Sequence, residues 1–230
     1  MSFKNLLIPV LAALSLVGVA RAVPAADYDP AKTAILLVDP YNDFLSQGGK
    51  AYFLGQSTIN SANLIENLKN LAAAARAAGA KVVYVPHAHY EPGVYDEYPF
   101  LNPAQRSITQ FAVFEKGSWG AEYHPDLQKQ PGDLEAQHHR LASGFAGTNL
   151  HELLDGAGIE YVVVAGMRAP TCIASTAYYA VELGYHTTLL SDGIAAFGQE
   201  EVDAVVNVSF PTYGHKIMRT DAFIAALTAN

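Results

Sequence analysis

One cysteine, Cys172, stands in "GMRAPTCIAST" (166–176), just beyond the apolar run Tyr161-Val162-Val163-Val164-Ala165. Such a run reads as a buried strand, and the residues after the turn read as the start of a helix. Unpaired N–H groups and the helix macrodipole push a thiol at that place towards thiolate, the nucleophilic form. Two N–H groups of the same turn can also hold an oxyanion. The plainer alternative is a small buried packing residue, as most free cysteines are. Asp39 ends another apolar run in "AILLVDPYNDF" (34–44), either as a proton acceptor or as a cap for loop amides. His87 and His89 follow "KVVYVP" (81–86), and His138 and His139 come just before "SGFAGTNL" (143–150). An H-x-H pair on a strand end can turn both rings to one zinc ion. No third ligand is in sight, so His87 and His89 are read as pocket-lining loop histidines and no metal is expected.

These groups need a frame that gathers them. Apolar runs at 34–39, 81–86, 161–166, 186–192 and 215–220 read as strands. Between them, 60–79, 148–158, 172–184 and 200–210 read as helices, with a short helix at the end. Asn149, with Glu152 three residues on, is the expected cap of the 148–158 helix. Continuous apolar strands alternating with helices imply an α/β fold, its parallel sheet covered on both faces. In such sheets ligands bind beyond the carboxyl ends of the strands, where Asp39, His87, His89 and Cys172 all fall. Residues 90–133 are rich in Tyr, Pro, Gly and Gln and show little periodicity, as functional loops do. Tyr90 and Trp119 are the candidate substrate-binding aromatics from that stretch, with plain packing as the alternative.

Bulk composition narrows the class. The 230 residues are 50% hydrophobic and 16% charged, enough for one domain with a full core. The net charge is -8 and no cluster of Lys or Arg stands out, which argues against a nucleic-acid partner. "MSFKNLLIPVLAALSLVGVARA" (1–22) reads as a signal peptide: an early Lys, an apolar stretch from Leu6 to Ala20, and the cleavage pattern Ala20-Arg21-Ala22. A secreted or periplasmic domain over 23–230 is therefore expected, without stable membrane association once the signal is removed. The sequon Asn207-Val208-Ser209 matters only in a eukaryotic secretory pathway. One cysteine allows no internal disulfide.

Four segments together, "TAILLVDPYNDFLSQGG", "KGSWGAEYHPDLQKQPGD", "SGFAGTNLHELLDGAGIEYVVVAGM" and "TCIASTAYYAVELGYHTTLLSDGIAAF", resemble the isochorismatase-like cysteine hydrolases. That superfamily includes nicotinamidases, carbamoyl-amide hydrolases and isochorismatases. The resemblance implies a Rossmann-like three-layer αβα sandwich with a six-stranded, mainly parallel sheet. It implies an Asp–Lys–Cys triad in which Asp39 and Cys172 match the aspartate and the nucleophile. A cis peptide at Met167–Arg168 is implied too, with the backbone N–H groups of Arg168 and Cys172 forming the oxyanion hole. Two departures stand out. Pro170 replaces the usual Asn or Asp two residues before the cysteine, and "QHHRLASGF" (137–145) lacks the triad lysine. His139 holds the preferred place for it; His138 and Lys116 are the alternatives. The implied activity is hydrolysis of a small molecule, most naturally at an amide-type C–N bond through a Cys thioester, with no cofactor. Isochorismatase-type vinyl-ether hydrolysis and an inactive secreted binding protein are the other readings. A homo-oligomer is expected by analogy alone.

Overall fold

Strand β1 (Thr33–Val38) lies at the centre of a six-stranded sheet with the order β3-β2-β1-β4-β5-β6. Its neighbours are β2 (Lys81–Val85) and β4 (Tyr161–Gly166); β3 (Leu134–Glu135), β5 (His186–Ile194) and β6 (Lys216–Met218) complete the sheet. Every pairing is parallel. The computed structural model describes residues 28–229, so the signal-peptide reading of 1–22 lies outside the described residues. Among the described residues no helix is long and apolar enough to cross a membrane.

Side chains alternate between the faces of a strand, so one sheet supplies two cores. Ile35, Leu37, Val82 and Val163 face one core with Leu64, Leu68 and Leu71 of α3 (Leu64–Ala78) and Phe223 of α8 (Thr220–Thr228). Leu36, Val38, Val83 and Val164 face the other with Leu150 and Leu154 of α5 (Leu150–Gly156) and Ala177 and Ala180 of α6 (Ala174–Glu182). Because both faces are covered, β1 is buried along its whole length. This is the expected three-layer αβα arrangement.

The structure departs from the sequence reading at several helices. The single helix expected at 60–79 is two, α2 (Tyr52–Ser61) and α3, broken where Asn63 takes a left-handed conformation (φ 51°). Asn149 holds the expected N-cap position of α5, but its side chain makes no capping bond: its Oδ1 accepts instead from the Gln137 N–H at 2.7 Å. The expected 200–210 helix is α7 (Gln199–Ala204) running into a wider π turn (Val205–Ser209). Strand β3 and helix α4 (Pro103–Phe111) both lie in stretches that showed no strand or helix pattern. Helix α4 starts with a complete capping box between Asn102 and Gln105, with Pro103 in its first turn.

Candidate active site

The strand order reverses at β1, whose carboxyl end therefore faces the crevice between the connections leaving β1 and β4. Asp39 follows β1 directly, with φ 52°. Its N–H donates to Val85 O at 3.1 Å, so the end of β2 fixes its backbone. Gly166 closes β4 at φ 122°, and a Cβ there would lie 2.2 Å from Val38 O. Only glycine lets the ends of β1 and β4 approach so closely. The Met167–Arg168 peptide beyond it is cis, as the resemblance implied.

Cys172 does not open a regular α-helix. It sits in a π turn (Ala169–Ile173) that runs on into α6. Arg168 leads into that turn, and the N–H groups of both Thr171 and Ile173 donate to its carbonyl at 3.2 Å. The Arg168 side chain is paired with Glu201 and lies over the Phe197 ring at 4.3 Å.

His139 reaches the site from the edge of the sheet. Its N–H donates to Pro86 O at 2.9 Å and its carbonyl accepts from Ala88 N at 2.8 Å, which extends the β2–β3 pairing beyond the strands. That ladder aims the imidazole inwards. Nδ1 donates to Leu141 O at 2.7 Å, while Nε2 faces Asp39 Oδ1 at 3.1 Å. Both side chains are fully buried. A carbonyl and a carboxylate only accept, so the ring carries protons on both nitrogens. Burial works against that charge, but Asp39's charge and hydrogen bond, helped by Leu141 O, raise the His139 pKa above its ordinary value.

The other two candidates for the lysine's place lie elsewhere. Lys116 is exposed and paired with Glu91 at 2.9 Å. His138 is partly exposed, with Glu135 4.0 Å away and the His89 ring against its own. The Asp39, His139 and Cys172 side chains each bring one ligand atom to within 4.8 Å of the others. Among the described residues, this is the one such group of three or more His, Cys or carboxylate side chains that could hold a metal ion. His87 and His89 are not part of it. Burial drops His87 to about 4, the neighbouring His139 adding to the effect, so it is neutral near neutral pH.

The charge state of the thiol differs from the expected thiolate. Burial pushes the Cys172 pKa well above its ordinary value, and the Asp39 carboxylate raises it further. Thr171 and the backbone of Arg168 hydrogen-bond the sulfur and oppose this, but do not outweigh it. The resting group is therefore a neutral thiol. Asp39 Oδ2 is buried with no hydrogen-bond partner, so this oxygen is open to a proton. The arrangement is a protonated nucleophile beside a free carboxylate oxygen, with a cation holding the carboxylate's other oxygen.

A cavity of about 690 Å³ opens onto Asp39 and Cys172. Arg168, Thr171 and His87 also line it, whereas Tyr90 and Trp119 do not. Tyr90 packs against the core, and Trp119 is 47% exposed with its carbonyl accepting from Asn42. The aromatic lining is Phe44, Phe53, Phe111, Phe114 and Phe197. Asp43, passed over in the sequence, shapes this wall. Its carboxylate accepts from Lys50 N at 2.9 Å and Phe114 N at 2.6 Å, tying α1 (Asn42–Leu45) to the loop after α4. The neighbouring "NDF" (42–44) was the available signal: a second acidic residue four positions after Asp39.

The Isochorismatase domain model matches residues 33–222. The chain belongs to the isochorismatase family. The ureidoacrylate amidohydrolase RutB of Pantoea ananatis is 32% identical over 186 residues, covering 76% of this chain and 74% of that protein. The solved N-carbamoylsarcosine amidase of Thermoplasma acidophilum superposes with a TM-score of 0.63 at 26% identity, covering 83% of this chain and 97% of that one. A cysteine hydrolase of Pseudomonas syringae shares the fold with a TM-score of 0.74 at 23% identity, covering 88% of this chain and 95% of that one. This isochorismatase-family chain is a hydrolase, with the family's sheet and a histidine beside Asp39.

Proposed function

We propose that this protein is an exported cysteine hydrolase that cleaves an amide-type C–N bond of a small molecule through a Cys172 thioester. The observation that carries the reading is the convergence of Asp39, His139 and Cys172, with Asp39 and Cys172 lining one cavity and His139 buried behind Asp39. The amide class draws further support from relatives named for amide hydrolysis, and export from the pattern of residues 1–22.

In the proposed reaction Asp39 takes the thiol proton as sulfur attacks the carbonyl carbon. The backbone N–H groups of Arg168 and Cys172 hold the oxyanion. Collapse expels the amine, which takes the proton back from Asp39 and leaves the thioester. Water, deprotonated by Asp39, then attacks the thioester and releases the acid and the thiol. His139 does not exchange protons in this scheme. Its two N–H groups bridge Leu141 O and Asp39, fixing the carboxylate with one oxygen free for the proton.

The test is a panel of primary amides, ureido compounds and isochorismate, run with the native protein and with Cys172→Ala. Turnover of amides that vanishes in the variant is the expected result. Isochorismate turnover retained by Cys172→Ala would instead assign vinyl-ether hydrolysis. A native protein inert on the whole panel would leave the inactive binding-protein reading.

A further inference from the structure

Helix α4 turns Ala104, Ser107, Ile108 and Phe111 into the cavity, the i, i+3, i+4, i+7 spacing of a single helical face. An amphipathic helix normally spends that face on the core. Here Phe111 is 59% exposed, and Phe53 on α2, which lines the same cavity, is 70% exposed. Single exposed apolar side chains are ordinary, but several sharing one cavity above a nucleophile mark a binding surface.

The polar lining points the same way. Lys50, Arg140 and Arg168 are the cations of the cavity, and each already has a glutamate partner: Glu115, Glu97 and Glu201. A small ureido acid would bring a carboxylate to cations that are already neutralised. It would also leave most of a cavity of about 690 Å³ unfilled.

We infer that the substrate is an uncharged amide bearing a bulky aromatic or branched aliphatic group, held against Phe53, Ile108, Phe111 and Phe197, and not a small ureido acid. This rests on the proposed Cys172 chemistry for its catalytic half, but not for its binding half. Neutral amides of increasing apolar bulk should therefore both bind and react better. Each added methylene should raise kcat/KM about threefold to fourfold until the cavity is filled.

The test uses two homologous series of amides, one lengthened on the acyl side and one on nitrogen, with ureidoacrylate as the small acidic comparison. Turnover is measured with the native protein, and equilibrium binding by calorimetry with Cys172→Ala. The expected result is a rise along at least one series in both measurements, with ureidoacrylate at the bottom. Phe53→Ser and Phe111→Ser flatten that rise. Phe100→Ser, at a position 89% exposed and outside the cavity lining, leaves it unchanged. Binding that rises without turnover would sink the hydrolase reading and keep this one. Turnover that is flat along both series, or best with ureidoacrylate, would overturn this inference and keep the hydrolase. Neither binding nor turnover would overturn both.

Discussion

Replacing His139 by alanine takes one partner from a fully buried ion pair. Asp39 loses the hydrogen bond at 3.1 Å, while its Oδ2 has no partner to compensate. A hydrogen bond to a charged group is worth about 1.5–3 kcal/mol. An ion left unpaired in the interior costs about 3–5 kcal/mol. Chemical denaturation of His139→Ala should therefore show a loss of about 3 kcal/mol. If that hydrogen bond holds Asp39 ready for the proton, its loss converts to about a 10- to 150-fold drop in kcat/KM. His139→Lys separates positioning from mere stability, because it restores a cation. The raised His139 pKa has a definite sign: the cation, and its contribution to stability, are fully present below the unfolded value near 6.5 and are lost as pH rises through the higher folded value. Native activity should therefore fall on the alkaline side as His139 deprotonates. In His139→Lys that limb should move up by about a unit or more, since lysine titrates near 10.4. The assay is a kcat/KM-against-pH profile for the native protein and the two variants. Native-like rates and stability in His139→Ala, or an alkaline limb identical in His139→Lys, would refute the reasoning.

Three further outcomes follow from the same geometry. Lys116→Ala should leave kcat/KM within about twofold, since an exposed pair such as Lys116–Glu91 contributes little; a dead variant would mean the third member of the site is misplaced. Iodoacetamide should label native Cys172 slowly at neutral pH and faster in alkali, read by mass spectrometry, because the buried thiol rests protonated; fast labelling at pH 7 would contradict that state. Gly120→Ala would place a Cβ 2.2 Å from Asp43 Oδ1, so a thermal melt should show about 1–3 kcal/mol of destabilisation; an unchanged Tm would mean that the Asp43 wall yields freely.

Much of the frame was legible because its strands are buried on both faces and so read as unbroken apolar runs. Strand β3 was not, since two residues, Leu134 and Glu135, carry no pattern. Asp39 and Cys172 were legible by position, each just beyond a run that had to be a strand. His139 could not be told from His138 by spacing. What selects it is a backbone ladder to Pro86 and Ala88, some fifty residues away in the chain, and that is a tertiary fact. The thiolate expectation failed for a physical reason: burial beside a carboxylate outweighs what a helix start offers. Tyr90 and Trp119 were chosen for ring chemistry alone. The spacing of Ala104, Ser107, Ile108 and Phe111 was the better signal, a helix face that reaches the core through Ile108 and the cavity through all four.

The central claim is that Cys172 carries the acyl group between two halves of the reaction. Acid-quenched native protein caught during turnover of a slow amide, read by intact-mass spectrometry and peptide mapping, tests it most directly. The account predicts an added mass equal to the acyl group, located on the peptide containing Cys172 and absent from Cys172→Ala, which should also be inactive. Steady turnover with no adduct, undiminished in Cys172→Ala, would contradict it.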